Sequence, residues 1–390
     1  MKEAFARRLS RIPDYLFREL DDLKASVRSG LIDLSEGSPD LTPPKPILAA
    51  FAKALKDPAN HRYPSYAGKL SARAAVADWY RRRFRVKLDP ETEVTMLLGS
   101  KEGVAHLIWG VCDKDDIVAV CDPGYPVYAN QTRLAGASLC PVPLEQQHGF
   151  LPSLSWLESI APRLKLLCLN FPNNPTAAVA DIDFYSAVVK LALRHGFYVV
   201  NDNVYSELTF DTKVPSILQV PDAGQCCLEF HSLSKTFSLA GWRIGMAVGC
   251  RSLIAALLKI KQNTDSGPFG AIQDAAAWAL KHGSKLAEKN RRTYQRRRDL
   301  FCQALARNGW TVPVPAATFY VWAKLPDSSA QQELDDALFV QKMLKYCRVM
   351  AAPGSGFGQC GRGYVRFALV ANGRLLQEAA ARIGRWLSRR

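Results

Sequence analysis

The chain has 390 residues, 48% hydrophobic and 22% charged, enough for a large core and for two lobes rather than one. Lys and Arg outnumber Asp and Glu by 51 to 36, a formal charge of +15, yet no zinc finger, aromatic-basic RNA motif or helix-turn-helix pattern is present to receive nucleic acid. No run approaches the roughly 20 apolar residues of a membrane span, and "MKEAFARRLSRIPDYLFREL" is charged and amphipathic rather than a signal peptide, so a cytoplasmic protein away from membranes is expected.

In chain order, short apolar runs alternate with helical ones from about Lys45 to Cys250. "VTMLLG", "IVAVCD", "KLLCLN", "FYVVND", "CCLEFHS" and "IGMAVG" read as buried strands, and amphipathic stretches such as "DIDFYSAVVKLALRHG" lie between several of them. That pattern predicts an α/β fold with a mostly parallel sheet covered on both faces. A long helical region follows from Gly267 to Asn308. Then comes a smaller α+β unit: "TFYVWAKL", a helix around Glu333 to Tyr346, "GYVRFALV" and a final helix from Arg374, with the N-terminal segment as a candidate to join it. The expected division is residues 1–44 with the small unit, 45–290 as the large domain and 291–390 as the small C-terminal domain. The arginines of "RRTYQRRRDL" and "RIGRWLSRR" read as solvated helix faces. The ten cysteines show neither Cys-x-x-Cys nor metal-ligand spacing and read as reduced core residues, so no metal is expected.

In an open α/β sheet ligands bind beyond the carboxyl ends of the strands, so the residues just after each run matter most. After "VTMLL" comes "GSKEG", small residues opening a helix whose free N–H groups suit a phosphate, although an ordinary helix start looks the same. "CDPGYPVY" sets Tyr125 in a Pro-rich turn, either packed or stacked on a flat ligand. "NFPNNPT" is an irregular loop with side-chain donors, or simply a turn. "NDNVYSE" puts Asp202 at a hydrophobic strand end, where a buried carboxylate needs a cation. "HSLSKTFSLAGWRIG" carries Lys235 and, eight positions on, Arg243. Together these match pyridoxal 5′-phosphate: an aldehyde for a lysine, a pyridine nitrogen for an acid, a phenolic oxygen and a phosphate.

"PNNPT", Asp-x-x-Tyr and Ser-x-x-Lys followed by that arginine, in this order and spacing, resemble the fold-type I pyridoxal-phosphate enzymes, specifically the class I/II aminotransferases, from about Ile32 to the C-terminus. The resemblance implies a mostly parallel seven-stranded sheet in a large domain, a smaller α+β domain, and transfer of an amino group between an amino acid and a 2-oxo acid. It further implies a homodimer with shared active sites. By the same resemblance Lys235 binds the cofactor and shuttles the α-proton, and Asp202 pairs with the pyridine nitrogen. Tyr205 and Asn174 serve the phenolic oxygen, and Tyr125 stacks on the ring. Ser100, Lys101, Ser232 and Arg243 hold the phosphate, with Tyr63 reaching it from the other subunit. Arg366, assisted by Gly37 and Asn174, grips the substrate carboxylate. The chain has Ala177 where the family usually reads glycine after Pro-Thr, a mild change unless the position needs a positive φ.

A Ser-x-x-Lys hydrolase would expect Ser-Asp-Asn and Lys-Thr-Gly elements downstream, and neither follows. A cofactor-binding transcription regulator needs more chain before the similarity than the roughly 30 residues present. A lyase or decarboxylase would share the cofactor site and stays open. For substrate, "RYPSYAGKLSARAAVADWY", "DPGYPVY" and "PGSGFG" are most similar to the LL-diaminopimelate aminotransferase branch, of lysine biosynthesis, with an aspartate- or alanine-type enzyme as the alternative. Ser65-Tyr66-Ala67 stand where some relatives of that branch carry a glutamate, which leaves Glu102 as a candidate partner for a distal ammonium.

Overall fold

The computed structural model describes residues 5–13, 16–25, 27, 29–326 and 335–389. In chain order its strands are β1 (Ile32–Asp33), β2 (Val94–Leu97), β3 (Ile117–Asp122), β4 (Ser138–Pro143), β5 (Leu164–Leu169), β6 (Tyr198–Asp202), β7 (Cys227–Ser232), β8 (Gly245–Gly249), β9 (Tyr320–Lys324), β10 (Val349–Met350), β11 (Ala352–Pro353) and β12 (Tyr364–Ala368). Seven of them form one sheet in the order β2-β8-β7-β6-β5-β3-β4, parallel throughout except β8, which runs against both neighbours. Every residue of β2, β7 and β8 is buried, which keeps β2 and β8 mostly apolar, while β7 carries Glu229, His231 and Ser232 into the interior.

The helices between strands stop and start on local signals. Ile182–His195 begins with the Asp181 side chain accepting from the Phe184 N–H and ends at Gly196, with φ 75°. It buries Phe184, Tyr185, Val188, Val189, Leu191 and Ala192 against the sheet, so the same spacing that signals a helix also supplies the packing. Losing the Asp181 cap would cost about 1 kcal/mol.

β4 is a strand that the apolar runs did not announce. It lies at the sheet edge, paired only to β3, and its segment "SLCPVP" holds Pro141 and Pro143, residues that an edge tolerates because one side of the strand makes no ladder.

β9, β11 and β12 make an antiparallel sheet in the order β11-β12-β9, and β1 pairs in parallel with β10. Leu20, Ile32 and Leu34 from the start of the chain share a core with Trp310, Phe319, Phe339 and Phe367 from its end. The helix expected from Glu333 begins, among the described residues, at Asp336, and Glu333 lies outside them. In the long helix Ser284–Arg307, Arg292 and Arg296 are exposed as expected of a solvated face, but two neighbouring arginines correct that reading. Arg297 is 7% exposed and grips Asp40 with two bonds of 2.6 and 2.8 Å, while donating to the Leu369 carbonyl. Arg298, 5% exposed, bonds Asp211 and the Pro315 carbonyl. Pattern alone does not distinguish an arginine aimed at water from one aimed at a carboxylate 257 positions away. The alanine at 177 is also corrected: its φ is 61°, so the position does need the left-handed conformation.

Candidate active site

A cavity of about 480 Å³ opens at the carboxyl ends of the central strands and is closed on its far side by the smaller unit. Of the residues singled out from sequence, Gly37, Ser100, Lys101, Tyr125, Asn174, Asp202, Tyr205, Ser232, Lys235, Arg243 and Arg366 all line it. Tyr63 does not: it is 95% exposed on the loop before the helix Leu70–Phe84.

β6 delivers Asp202 to the floor. Its Oδ2 accepts a 2.7 Å bond from the Tyr128 hydroxyl, while Oδ1 is buried with no partner among the described residues. Burial pushes this carboxyl up to about 7, against the pull of the Tyr128 bond and the Lys235 charge. The "NFPNNPT" loop is tied to the same place, because Asn170 donates to the Asp202 carbonyl at 2.6 Å and accepts from the Asn174 N–H at 2.9 Å.

β7 ends at Ser232, whose hydroxyl caps the short helix Leu233–Thr236 by accepting from the Ser234 N–H. That turn points Lys235 into the cavity, where Nζ donates to the Gly37 carbonyl at 2.7 Å. Removal from bulk water lowers the amine to about 8, reinforced by the charges of Arg366 and Arg243 and opposed by Asp202 and Glu36. Lys235 therefore engages a backbone carbonyl rather than Ser232, whose hydroxyl is used by Ser234 and by the Ile244 carbonyl. This is not the pairing a Ser-x-x-Lys hydrolase needs.

At the opposite end, Gly99 precedes the helix Ser100–Val111 with φ 88°. A Cβ there would run into the guanidinium of Arg243, so glycine lets the arginine lie against the first turn of the helix. Arg243 itself has φ 52° and is held by the Leu98 and Ala240 carbonyls.

β12 carries Arg366, fully buried, with its guanidinium 4.3 Å from the Tyr320 ring centroid and 4.7 Å from that of Phe357. It donates to Asn174 Oδ1 at 2.8 Å and to the Ser35 carbonyl. Burial lowers its pKa. Tyr205 hydrogen-bonds the Tyr320 hydroxyl at 2.9 Å. Gly37 has to be glycine, since a Cβ would collide with that same Tyr320 hydroxyl.

Tyr128, Asn170, Tyr320, Glu36 and Asp21 belong to the cavity and were missed from sequence. Tyr128 had a signal, one helical turn after Tyr125; Tyr320 had none beyond a strand pattern. Glu102 is corrected in the other direction. It turns away from the cavity to bond the Leu98 N–H, His106 and the buried ammonium of Lys261. Glu102, His106 and Asp265 are spaced like metal ligands, but Lys261 Nζ, 3.0 Å from Glu102 and 2.6 Å from Asp265, is already the cation among them.

The family profile described as aminotransferase class I and II matches residues 29–383. The chain is 45% identical to the LL-diaminopimelate aminotransferase of Aquifex aeolicus, over 97% of this chain and 98% of that one. It is 44% identical, with the same coverage, to the LL-diaminopimelate aminotransferase of Nitratidesulfovibrio vulgaris. Among solved structures, substrate-bound BacF from Bacillus subtilis superimposes with a TM-score of 0.94 at 33% identity, covering 98% of each chain.

Proposed function

The chain belongs to the aminotransferases of class I and II, and from that premise we propose that it moves an amino group between LL-diaminopimelate and 2-oxoglutarate. The observation that carries the substrate is full-length identity of 41–45% to enzymes of that name.

The enzyme is a pyridoxal 5′-phosphate-dependent transaminase, and the cavity fits the cofactor. Asp202 Oδ1 is a buried acceptor without a partner among the described residues, suited to a pyridinium N–H. The start of the helix at Ser100, with Arg243 beside it, is suited to a phosphate. Lys235 lies between them as an amine that is readily neutral near pH 8. When bound, the cofactor supplies a ring that withdraws electrons from the substrate α-carbon.

In this reading Lys235 Nζ takes and returns the α-proton, and its lowered pKa leaves enough free base to do so. Asp202 keeps the ring nitrogen protonated, and a cation beside it returns the carboxyl to its charged form. Tyr125 covers the ring; Tyr205 and Asn174 serve its phenolic oxygen; Ser100, Lys101, Ser232 and Arg243 hold the phosphate. Arg366 binds the α-carboxylate as a two-pronged donor, with Asn174 and Gly37 beside it. Tyr63, exposed and outside its own cavity, would complete the phosphate site of a second copy, so the working form would be a cytoplasmic homodimer. Sedimentation with activity readout tests this, and a fully active monomer overturns it. We further propose that residues 1–44 join 291–390 as the smaller domain around the 45–290 cofactor domain, supported by the β1–β10 pairing.

Comparison of kcat/KM for LL-diaminopimelate, its meso isomer, aspartate and alanine tests the substrate. With the proximal carboxylate fixed, inverting the far centre leaves a polar group unpaired, so a preference of about tenfold to a hundredfold for the LL isomer is expected. A higher value for aspartate overturns the substrate and leaves the transaminase.

A further inference from the structure

Two carboxylates besides Asp202 line the cavity, Asp21 and Glu36, and their surroundings differ. Asp21 is already neutralised, with Lys24 Nζ at 2.6 Å and that lysine shared with Asp33 at 3.0 Å. Glu36 is exposed, and no hydrogen bond or ion pair of its side chain is found among the described residues. It precedes Gly37, whose carbonyl receives Lys235, and follows Ser35, whose carbonyl receives Arg366. The Glu36 charge therefore sits beside the space between the amine that works on the α-carbon and the guanidinium read here as the carboxylate anchor, close enough to act electrostatically on Lys235, Tyr320 and Arg366 alike.

With its carboxylate on Arg366 and its α-carbon at Lys235, a bound amino acid would have its side chain leave beside the wall that holds Glu36. A side chain ending in a carboxylate then meets a fixed like charge, and one ending in an ammonium meets an unused opposite charge. The remaining cations of the cavity have other places: Lys101 and Arg243 stand at the start of the helix Ser100–Val111, where Arg243 is held by the Leu98 carbonyl, and Arg366 is buried among Tyr320, Phe357 and Asn174.

We propose that Glu36 is the specificity-determining residue for the substrate side chain, selecting amino acids whose far end carries a cation over those ending in a carboxylate alone. The inference rests on the transaminase reading of the cavity and deepens it. Because Glu36 is at the open, solvated edge, its attraction is worth about a tenfold preference rather than a thousandfold one, and added salt weakens it. The same exposure lets the side chain swing aside for a dicarboxylic 2-oxo acid, which is then accepted with a raised KM.

The test uses the holoenzyme and its Glu36→Gln variant, measuring kcat/KM for LL-diaminopimelate, ornithine, norvaline and glutamate at low and high salt. Glu36→Gln should lower the value for LL-diaminopimelate or ornithine about tenfold and raise that for glutamate a few-fold. Opposite changes on two substrates in one variant are not produced by misfolding or by a loose cofactor. Should the wild type ignore LL-diaminopimelate yet prefer ornithine to norvaline, the substrate reading fails while Glu36 keeps its role, provided that preference collapses in Glu36→Gln. Unchanged ratios of cationic to acidic substrates in the variant overturn the proposal, whichever amino acid is used best.

Discussion

The two walls of the cavity are built differently. One wall comes from residues 99–101, 125, 174, 202–205 and 232–243, which stand at or near the strand ends along one edge of the central sheet, so the ladder that stabilises the fold also spaces them. The other wall comes from residues 36–37, 320 and 366, where the Arg366 bond to Ser35 joins positions 331 apart. The first wall is set by one sheet; the second exists only once both ends of the chain have packed together. Substitutions should therefore fall into two classes, cofactor effects on the sheet wall and substrate effects on the assembled wall.

The largest effect belongs to the sheet wall. Lys235→Ala removes both the cofactor attachment and the proton carrier, so activity should fall by at least about 10⁴-fold and the visible absorption of the lysine-bound cofactor should vanish. A variant that keeps a borohydride-reducible cofactor bond would show that another lysine does the work.

Asp202→Asn should be next, at about 10²–10³-fold in kcat, comparable to losing one preorganised electrostatic partner. It also carries a pH signature. In the cofactor-free protein this carboxyl titrates at about 7, against ~3.9 for an unfolded aspartate. Between those values the folded state holds a proton that the unfolded state has lost, so stability falls as pH rises from about 4 to about 7. Lys235, lowered to about 8, acts with the opposite sign, raising stability with pH, but only above that window. An amide in place of this carboxyl cannot ionise, so melting curves of cofactor-free Asp202→Asn should show a higher Tm than wild type at pH 8, a smaller gain at pH 5 and little difference near pH 3. An equal shift at pH 8 and pH 3 would mean that the effect is packing, not charge.

The same division accounts for what could be read from the sequence. β2, β3 and β5 to β8 are legible because strands covered on both faces are mostly apolar, Glu229 and His231 of β7 being buried exceptions, and the reactive residues stand at or just past their ends. β4 is not, since an edge strand with two prolines has neither an apolar run nor alternation. Tyr128 sits within the sheet wall but reads as an ordinary helix residue, its function depending on a bond across 74 positions. Glu36, Tyr320 and the Arg297–Asp40 pair depend on tertiary assembly alone, and a single sequence offers no local pattern for them.

Tyr320→Phe sharpens the comparison on the assembled wall. It removes the hydroxyl paired with Tyr205 and leaves the ring beside Arg366 in place. One buried hydrogen bond is worth about 1–1.5 kcal/mol, so kcat/KM should fall about tenfold while cofactor binding and its absorption persist. Loss of the cofactor instead would erase the distinction between the walls.

The smallest effect tests whether backbone strain in the sheet wall matters to chemistry. Ala177 holds φ 61° in the "NFPNNPT" loop, with its N–H bonded to the Asn173 carbonyl at 2.9 Å and only 3% of its surface exposed. The left-handed conformation costs a non-glycine residue about 1–2 kcal/mol, which Ala177→Gly would relieve. Against that, the variant gives up a buried methyl worth about 0.8 kcal/mol and adds unfolded-state freedom worth about 0.4–1 kcal/mol. The terms nearly cancel, so Ala177→Gly should move Tm by about 2 °C or less, with kcat unchanged because the loop's tie to Asp202 runs through Asn170. A β-branched residue gains no such cancellation: Ala177→Val keeps the positive φ and adds bulk to a filled site, so it should lower Tm clearly. If glycine raised kcat severalfold, the strain at 177 would be limiting the position of Asn174, and the sheet wall would be less rigid than its ladder implies.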